Sequence, residues 1–336
     1  MNAFTDPSSD PKHVVVATHG HCFDGLCSAV MFTRLIEHVQ SAAGAKLRFT
    51  YAGCGYGPGQ NGVDPKVLSG DENAILDFRF SSDKRLTWYF DHHVSAFQGG
   101  ESERSTYEAR AAVPPRHFFH DGTYGSCTKL IADIGARDFG FDSSASAKLI
   151  AWADMIDSAA FPNAAFAVER ADPVLQMMTV VEHLADDAFL TRMVPRLLTE
   201  SIEDVARSAE IQTLYAPLGA EHLKFIEMVR AAGKEKDGVV LVDLTDRLLD
   251  VAGKFVTYAL YPDSAYSVIV SRSKSKCKIS IGFNPWAKKA RTHDIASICE
   301  RWGGGGHPVV GAISLPADQA AKAQEIARTI VDELGK

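Results

Sequence analysis

The chain contains no run of about eighteen consecutive apolar residues, so no membrane-spanning helix is expected. Its first residues, MNAFTDPSSDPKH, lack the apolar segment of a secretory signal, and the cytoplasm is the expected compartment. The six cysteines (Cys22, Cys27, Cys54, Cys127, Cys277 and Cys299) form no CxxC pair and no dense cluster. That spacing argues against a disulfide scaffold and for a reduced environment. Basic residues are not in excess: 35 Lys and Arg face 42 Asp and Glu, a net charge of −7. Coating of long duplex DNA by bulk attraction is therefore not expected. A short nucleotide held in a local basic pocket remains compatible with this charge, and a carboxylate-rich pocket would draw divalent cations. There is no internal repeat and no low-complexity tract beyond one run of four glycines.

The 336 residues suggest two domains. Residues 1–12, rich in Ser, Asp and Pro, read as a loose tail. The stretch HVVVAT at 13–18 reads as a buried parallel strand, and a helical stretch with an apolar face follows from Leu26 to about Gln40. Strand, polar loop and helix open a βαβ unit. Further strands are expected at 47–51, 74–78 and 86–90, and helices at 126–134, 143–157 and 172–184. A mostly helical stretch from 188 to 232 contains the expected domain connection, and GKEKDG at 233–238 reads as a turn. Strands return at 239–244, 266–272, 278–283 and 309–314, with helices near 293–302 and 317–334.

Polar groups gather where the strands of the first half end. The loop HGHCFDG offers His19, His21, Cys22 and Asp24, a donor set that suits Mn²⁺, Zn²⁺ or Fe²⁺. The bland alternative is a polar loop with a helix-capping Asp24. Asp77 ends the apolar run Ile-Leu-Asp, where a charge is costly unless paired or metal-bound. Asp91, His92 and His93 follow the strand Trp-Tyr-Phe directly. Asp154 and Asp157 share one face of a largely apolar helix end. In open α/β sheets, ligands bind outside the carboxyl ends of the strands, so these groups can converge. Two ions bridged by a common carboxylate would there serve phosphoester hydrolysis. In the second half, Gly303 to Gly306 can present backbone N–H groups to an anion. Arg272, which ends a strand with Ser273, and His307 can pair with phosphate.

This order of motifs resembles the DHH phosphoesterase superfamily, in the branch with the DHH-associated C-terminal domain. The resemblance rests on THGHCFDGLCSA, ILDF, DHH followed by VSA, WADMID, VIVSRS and HDIASICERWGGGGHPVVGAISL, from about residue 14 to 315. It implies an α/β fold: a parallel-sheet DHH domain at 13–200, a helical connector at 201–235, and a smaller α/β substrate-binding domain at 236–336 across a cleft. It implies Mn²⁺, one ion or two, with Mg²⁺ or another divalent metal as substitute. The implied ligands are His19, Asp24, Asp77, His92 and Asp154, with Asp91 and His93 beside them as the catalytic pair. Arg272, Ser273, Gly304, Gly305, Gly306 and His307 fall where the family grips substrate. The family includes RecJ-type exonucleases, nanoRNases and cyclic-dinucleotide phosphodiesterases, so a short nucleotide or oligonucleotide is the expected substrate. Its pyrophosphatases carry a different C-terminal domain, and the GGGGH run argues against that branch.

One departure stands out. Many members carry two Asp in the first motif; here Asp24 stands alone and Cys22 occupies a place where an acid is expected. Four readings follow: Cys22 as a thiolate ligand, His21 as a substitute ligand, a single-metal enzyme, or a nucleotide-binding regulatory protein with a degenerate site. Asp157 is a further ligand candidate. Nothing in the sequence sets the oligomeric state.

Overall fold

The computed structural model describes residues 10–336 except 42, 43, 45, 56–61, 250–252 and 254. Most of the expected N-terminal tail lies outside the described residues. The elements, in chain order, begin with β1 (Lys12–His19), α1 (Phe23–Ser41), β2 (Leu47–Cys54), β3 (Glu72–Leu76), β4 (Trp88–Asp91), α2 (Glu101–Ala111) and β5 (Phe118–His120). Next come α3 (Cys127–Phe139), a 3-10 turn, α4 (Ala147–Asp157), α5 (Ala164–Glu169), α6 (Pro173–Leu184), α7 (Asp187–Thr199), α8 (Ile202–Arg207) and α9 (Ala209–Ala232). The chain closes with β6 (Gly233–Lys236), β7 (Val239–Leu248), α10 (Val256–Leu260), β8 (Tyr266–Arg272), β9 (Lys276–Phe283), α11 (Ile295–Glu300), β10 (Gly305–His307), β11 (Val310–Pro316) and α12 (Ala320–Leu334). Among the described residues no helix is long and apolar enough to cross a membrane.

The chain divides into two compact units. The first is Met1–Ala160 with Asp172–Tyr215; the second is Phe161–Ala171 with Ala216–Lys336. The first unit is built on a five-stranded sheet in the order β2-β1-β3-β4-β5, every pairing parallel. Val14 to Ala17 of β1, an interior strand, are all buried, as both faces of a parallel sheet require. One face is covered by Leu68, Phe78, Phe80, Leu86 and their neighbours, and α1 packs on the other with Leu26, Val30, Met31 and Leu35 buried.

The order places a topological switch between β1 and β3, because the chain leaves β1 to one side and returns on the other. Register then lines up the strand ends. Thr18 pairs with Leu76, Leu76 with Phe90, and Phe90 with Phe119. The next residues along, His19, Asp77, Asp91 and His120, consequently form one row at the carboxyl edge.

The second unit holds a mixed sheet in the order β10-β11-β9-β8-β7-β6. β7 and β8 run parallel and the other neighbours antiparallel. Alternation along β8 sends Tyr266, Val268 and Val270 to one face, where α11 and α12 bury Ile295, Ile298, Ile326 and Ile330. Ile269 faces the other side with Val240, Val242, Val168 and Val229. This second face explains two departures from expectation. Residues 161–171 join the C-terminal unit because Val168 packs into its core, and Trp286 Nε1 donates to the Phe161 carbonyl (2.9 Å). The stretch expected as a connector at 201–235 is divided instead: α8 buries Ile202, Val205 and Ala206 in the first unit, while Val229 of α9 belongs to the second. The expected turn at 233–238 is also corrected. Gly233–Lys236 pairs antiparallel with β7 as an edge strand, leaving Asp237 and Gly238, both at positive φ, to turn the hairpin.

Candidate metal centre

Side chains at the carboxyl edge of the first sheet form three overlapping groups: His19 with Cys22 and Asp77; Asp77 with His92 and His93; Asp24 with His92 and Asp157. In each group one ligand atom per residue lies within 4.8 Å of the others. Asp77 and His92 are each shared by two groups.

Asp77 directly follows β3 with a backbone φ of 53°, the left-handed region that Asp tolerates better than most residues. Its N–H donates to the Phe90 carbonyl (2.9 Å), so the kink is anchored to β4. The side chain is fully buried, and neither carboxylate oxygen has a hydrogen-bond partner among the described residues. Around it stand His92 Nε2 at 3.4 Å, His19 Nδ1 at 3.6 Å and His93 Nδ1 at 3.7 Å. Burial would raise the Asp77 pKa, but His19 and His92, then His93, hold it well below the usual carboxylate range.

His92 is oriented for coordination. Its Nδ1 lies 3.0 Å from the Tyr124 carbonyl, which can only accept, so Nδ1 carries hydrogen and Nε2 points inward. Nε2 reaches Asp157 Oδ2 at 3.2 Å, Asp77 Oδ1 at 3.4 Å and Asp24 Oδ2 at 3.9 Å. Burial disfavours the imidazolium, yet Asp157, Asp77 and Asp24 outweigh it and raise the pKa to about 11. Three carboxylates around one imidazole leave a strong negative field that a proton satisfies in part.

Asp24 sits in the first turn of α1 and faces the start of α3. Its Oδ2 accepts from Cys127 N (2.7 Å), and its Oδ1 accepts from Thr128 N (3.1 Å) and Thr128 Oγ1 (2.5 Å). The helix-capping alternative thus has support, although the helix is α3 rather than α1. Burial, Asp77 and Asp157 together push the Asp24 pKa well up, against the Thr128 hydrogen bond and His92. Gly25 makes the tight start of α1 feasible, since a β-carbon there would collide with the His19 carbonyl oxygen.

Asp91 is buried and accepts from Tyr89 Oη (3.0 Å), from the backbone N–H of His92 (2.9 Å) and His93 (3.2 Å), and from His93 Nδ1 (2.8 Å). It orients His93 rather than joining any of the three groups. The Asp91 hydrogen bond raises the His93 pKa against burial.

Other candidates fall elsewhere. Asp154 accepts from Ser126 Oγ (3.1 Å), the N-cap of α3, and lies in none of the three groups, whereas Asp157, one turn along, does. His21 is exposed, with φ 55°, and is in no group. Cys22 is partly buried; burial, Asp77, Asp24 and Asp157 push its thiol pKa well up. His120, which the sequence motifs alone give no reason to place beside the site, ends β5, and its Nε2 donates to the His93 carbonyl (2.8 Å). The available signal was a polar residue closing a short apolar strand, as in β1, β3 and β4.

In the second unit, Arg272 ends β8 with its Nε buried and without a hydrogen-bond partner among the described residues. Ser273 Oγ accepts from the N–H of Ser275 (3.3 Å) and of Lys276 (3.2 Å) in the β8–β9 turn. The glycine run is not an open anion nest. Gly303 N–H donates to Glu300 O and Gly304 N–H to Cys299 O, closing α11. Gly305, Gly306 and His307 form the edge strand β10, where a β-carbon at Gly306 would collide with the Val310 carbonyl oxygen. His307 is exposed.

The donor chemistry fits a divalent cation. Two ligand atoms each about 2.1 Å from an ion stand about 3.0 Å apart when cis and about 4.2 Å when trans. The His92–Asp77, His92–Asp157 and His92–Asp24 separations of 3.4, 3.2 and 3.9 Å fall in that window. A buried carboxylate is costly unless a positive charge meets it; without metal the His92 imidazolium at 3.4 Å supplies that charge, and a divalent cation would take the place of its proton.

No protein-family model matches the chain, and no curated protein matches it. Solved structures do. The pGpG-specific phosphodiesterase PggH from Vibrio cholerae is 18% identical, with a TM-score of 0.65, over 96% of this chain and 100% of that one. RecJ in complex with Mn²⁺ from Thermus thermophilus is 11% identical, with a TM-score of 0.56, over 96% of this chain and 52% of that one. The DHH domain of a protein assigned to a family of ribosomal proteins is 13% identical, with a TM-score of 0.54, over 96% of this chain and 87% of that one. The chain shares its fold with these proteins.

Proposed function

We propose that the chain is a divalent-metal phosphoesterase that hydrolyses a phosphodiester or phosphomonoester bond of a short nucleotide or oligonucleotide. The observation that carries this reading is Asp77: a fully buried carboxylate with no hydrogen-bond partner at either oxygen among the described residues, shared between two donor groups. Asp77, His92, Asp24 and Asp157 would hold Mn²⁺ or a similar ion through nitrogen and oxygen. When bound, such an ion polarises a phosphoryl oxygen and lowers the pKa of coordinated water. His93 has its Nδ1 turned to Asp91, which leaves Nε2 to donate a proton to the leaving oxygen. Arg272, Ser273 and His307 would grip the substrate, with Gly304, Gly305 and Gly306 as the backbone that carries His307; the Arg272 Nε, buried and without a hydrogen-bond partner among the described residues, suits phosphate.

Similarity to a pGpG-specific phosphodiesterase, over 96% of this chain and 100% of that one, supports a dinucleotide-sized substrate. The deciding assay is hydrolysis of a dinucleotide, phosphoadenosine phosphate, pyrophosphate and bis-p-nitrophenyl phosphate, with and without Mn²⁺. Asp77→Ala serves as the blank. Mn²⁺-dependent turnover that vanishes in the variant is expected; equal turnover in both proteins would refute the assignment.

A second reading has one observation behind it. Asp24 is engaged by three donors from α3, and Cys22 stands where a second acid is expected. A nucleotide-binding regulatory protein with a weakened metal site would show tight nucleotide binding and no turnover in the same assay.

A further inference from the structure

Resting on the metal-centre reading above, we propose that Cys22 Sγ is a thiolate ligand, so that the position framed by His19, Cys22 and Asp77 takes zinc, cobalt or iron(II) in preference to manganese or magnesium. Three donors of different kinds meet there: an imidazole nitrogen, a sulfur and a carboxylate oxygen, mutually within 4.8 Å. Asp77 is fully buried, and neither of its oxygens has a hydrogen-bond partner among the described residues.

The loop's backbone explains why sulfur faces this point. Gly20 N–H donates to the Cys54 carbonyl (2.6 Å), which pins the loop to the end of β2. His21 then takes φ 55° and is exposed, so His19 and Cys22, three residues apart, face the same point. The loop's carboxylate is occupied elsewhere: Asp24 accepts from Cys127 N, Thr128 N and Thr128 Oγ1, and it groups with His92 and Asp157. Cys22 is the loop donor left beside His19. The other two groups offer nitrogen and oxygen alone, a set that accepts manganese. A thiolate, by contrast, is a soft ligand that selects zinc, cobalt and iron. On binding, the thiol proton passes to solvent as the sulfur–metal bond forms. The result is a centre with two chemically unlike positions.

The test is titration of the metal-free full-length protein with Co²⁺. Two quantities are followed: cobalt retained after dialysis, and the near-ultraviolet sulfur-to-cobalt charge-transfer band. Wild type is expected to retain cobalt and show the band. Cys22→Ser, with an unchanged far-ultraviolet circular dichroism spectrum, is expected to retain cobalt at the remaining donors without the band. Cys22→Asp is expected to shift preference from Zn²⁺ toward Mn²⁺ by on the order of tenfold or more. Cobalt retained by wild type without a band overturns the thiolate ligand and leaves the metal centre standing. A band that survives in Cys22→Ser assigns it to another cysteine and overturns the proposal as well. Failure of wild type to retain cobalt removes the metal centre itself, and this inference with it.

Discussion

The Thr128 hydroxyl donates to Asp24 Oδ1 at 2.5 Å, joining the first motif of the chain to a helix 104 residues away. Thr128 and Asp24 are both buried, so the pair is a structural joint as well as a boundary of the candidate site. Thr128→Val removes a donor from a buried carboxylate that keeps its two backbone partners. A loss of about 1–3 kcal/mol in unfolding free energy is expected from chemical denaturation. Thr128→Ser, which keeps the hydroxyl, is expected to lose less; a Thr128→Val variant as stable as wild type would show that the hydrogen bond contributes nothing.

Gly25 tests the other side of the same loop. A β-carbon there would collide with the His19 carbonyl oxygen, so Gly25→Ala must move either α1 or the end of β1. Overpacking of this kind costs about 1–3 kcal/mol. Because the displaced residue is a candidate ligand, calorimetry is expected to show weaker divalent binding as well as lower stability. Unchanged metal affinity in a destabilised protein would remove His19 from the ligand set.

The pKa of His92, raised from 6.5 to about 11, sets a pH dependence with a definite sign. Without metal, the folded state holds this proton more tightly than the unfolded state does. The resulting stability is fully present below about 6.5 and is lost as pH rises through about 11. Metal requires the same nitrogen deprotonated, so divalent affinity should increase with pH across this range. His92→Gln is expected to flatten both profiles, as read by denaturation and by metal titration at several pH values.

Asp91 and His93 give a prediction on rate. With Asp91 raising the His93 pKa, the protonated imidazole is the acid, and kcat falls as pH rises through that pKa. Asp91→Asn removes the charge. The alkaline limb of the kcat profile is then expected to move to lower pH, with kcat reduced by about 10²–10⁴. Tyr89→Phe, which removes one donor to Asp91, is expected to cost less. A profile that stays in place in Asp91→Asn would exclude His93 as the acid.

Much of the architecture was legible because it is local. The apolar run of β1, the alternation along β8 and the apolar face of α12 each follow from residues close in sequence, and the structure forms all three. The polar ends of β1, β3 and β4 were visible for the same reason: Asp77 and Asp91 directly follow apolar strands. The short elements were not. β5, β6 and β10 have three or four residues each, and exist because a neighbouring strand pairs with them. The expected nest at the glycines failed similarly, since the run pairs with β11 and closes α11 instead.

By itself the sequence determined which chemical groups are present and that they cluster at strand ends: imidazoles, a thiol and carboxylates in the first half, an arginine and glycines in the second. Only the tertiary structure decided how those groups are shared out. The helical spacing of Asp154 and Asp157 allowed either to face the strand ends; packing of α4 beside α3 gave Asp154 to Ser126 and Asp157 to His92. Asp24 likewise was free to cap or to coordinate until α3 brought three donors to it. His120 gained its contact with His93 through the pairing of β4 with β5. The physical reason is common to all three. A hydrogen bond between residues 27 to 104 positions apart depends on which helix or strand packs beside which, and local propensity carries no record of that choice.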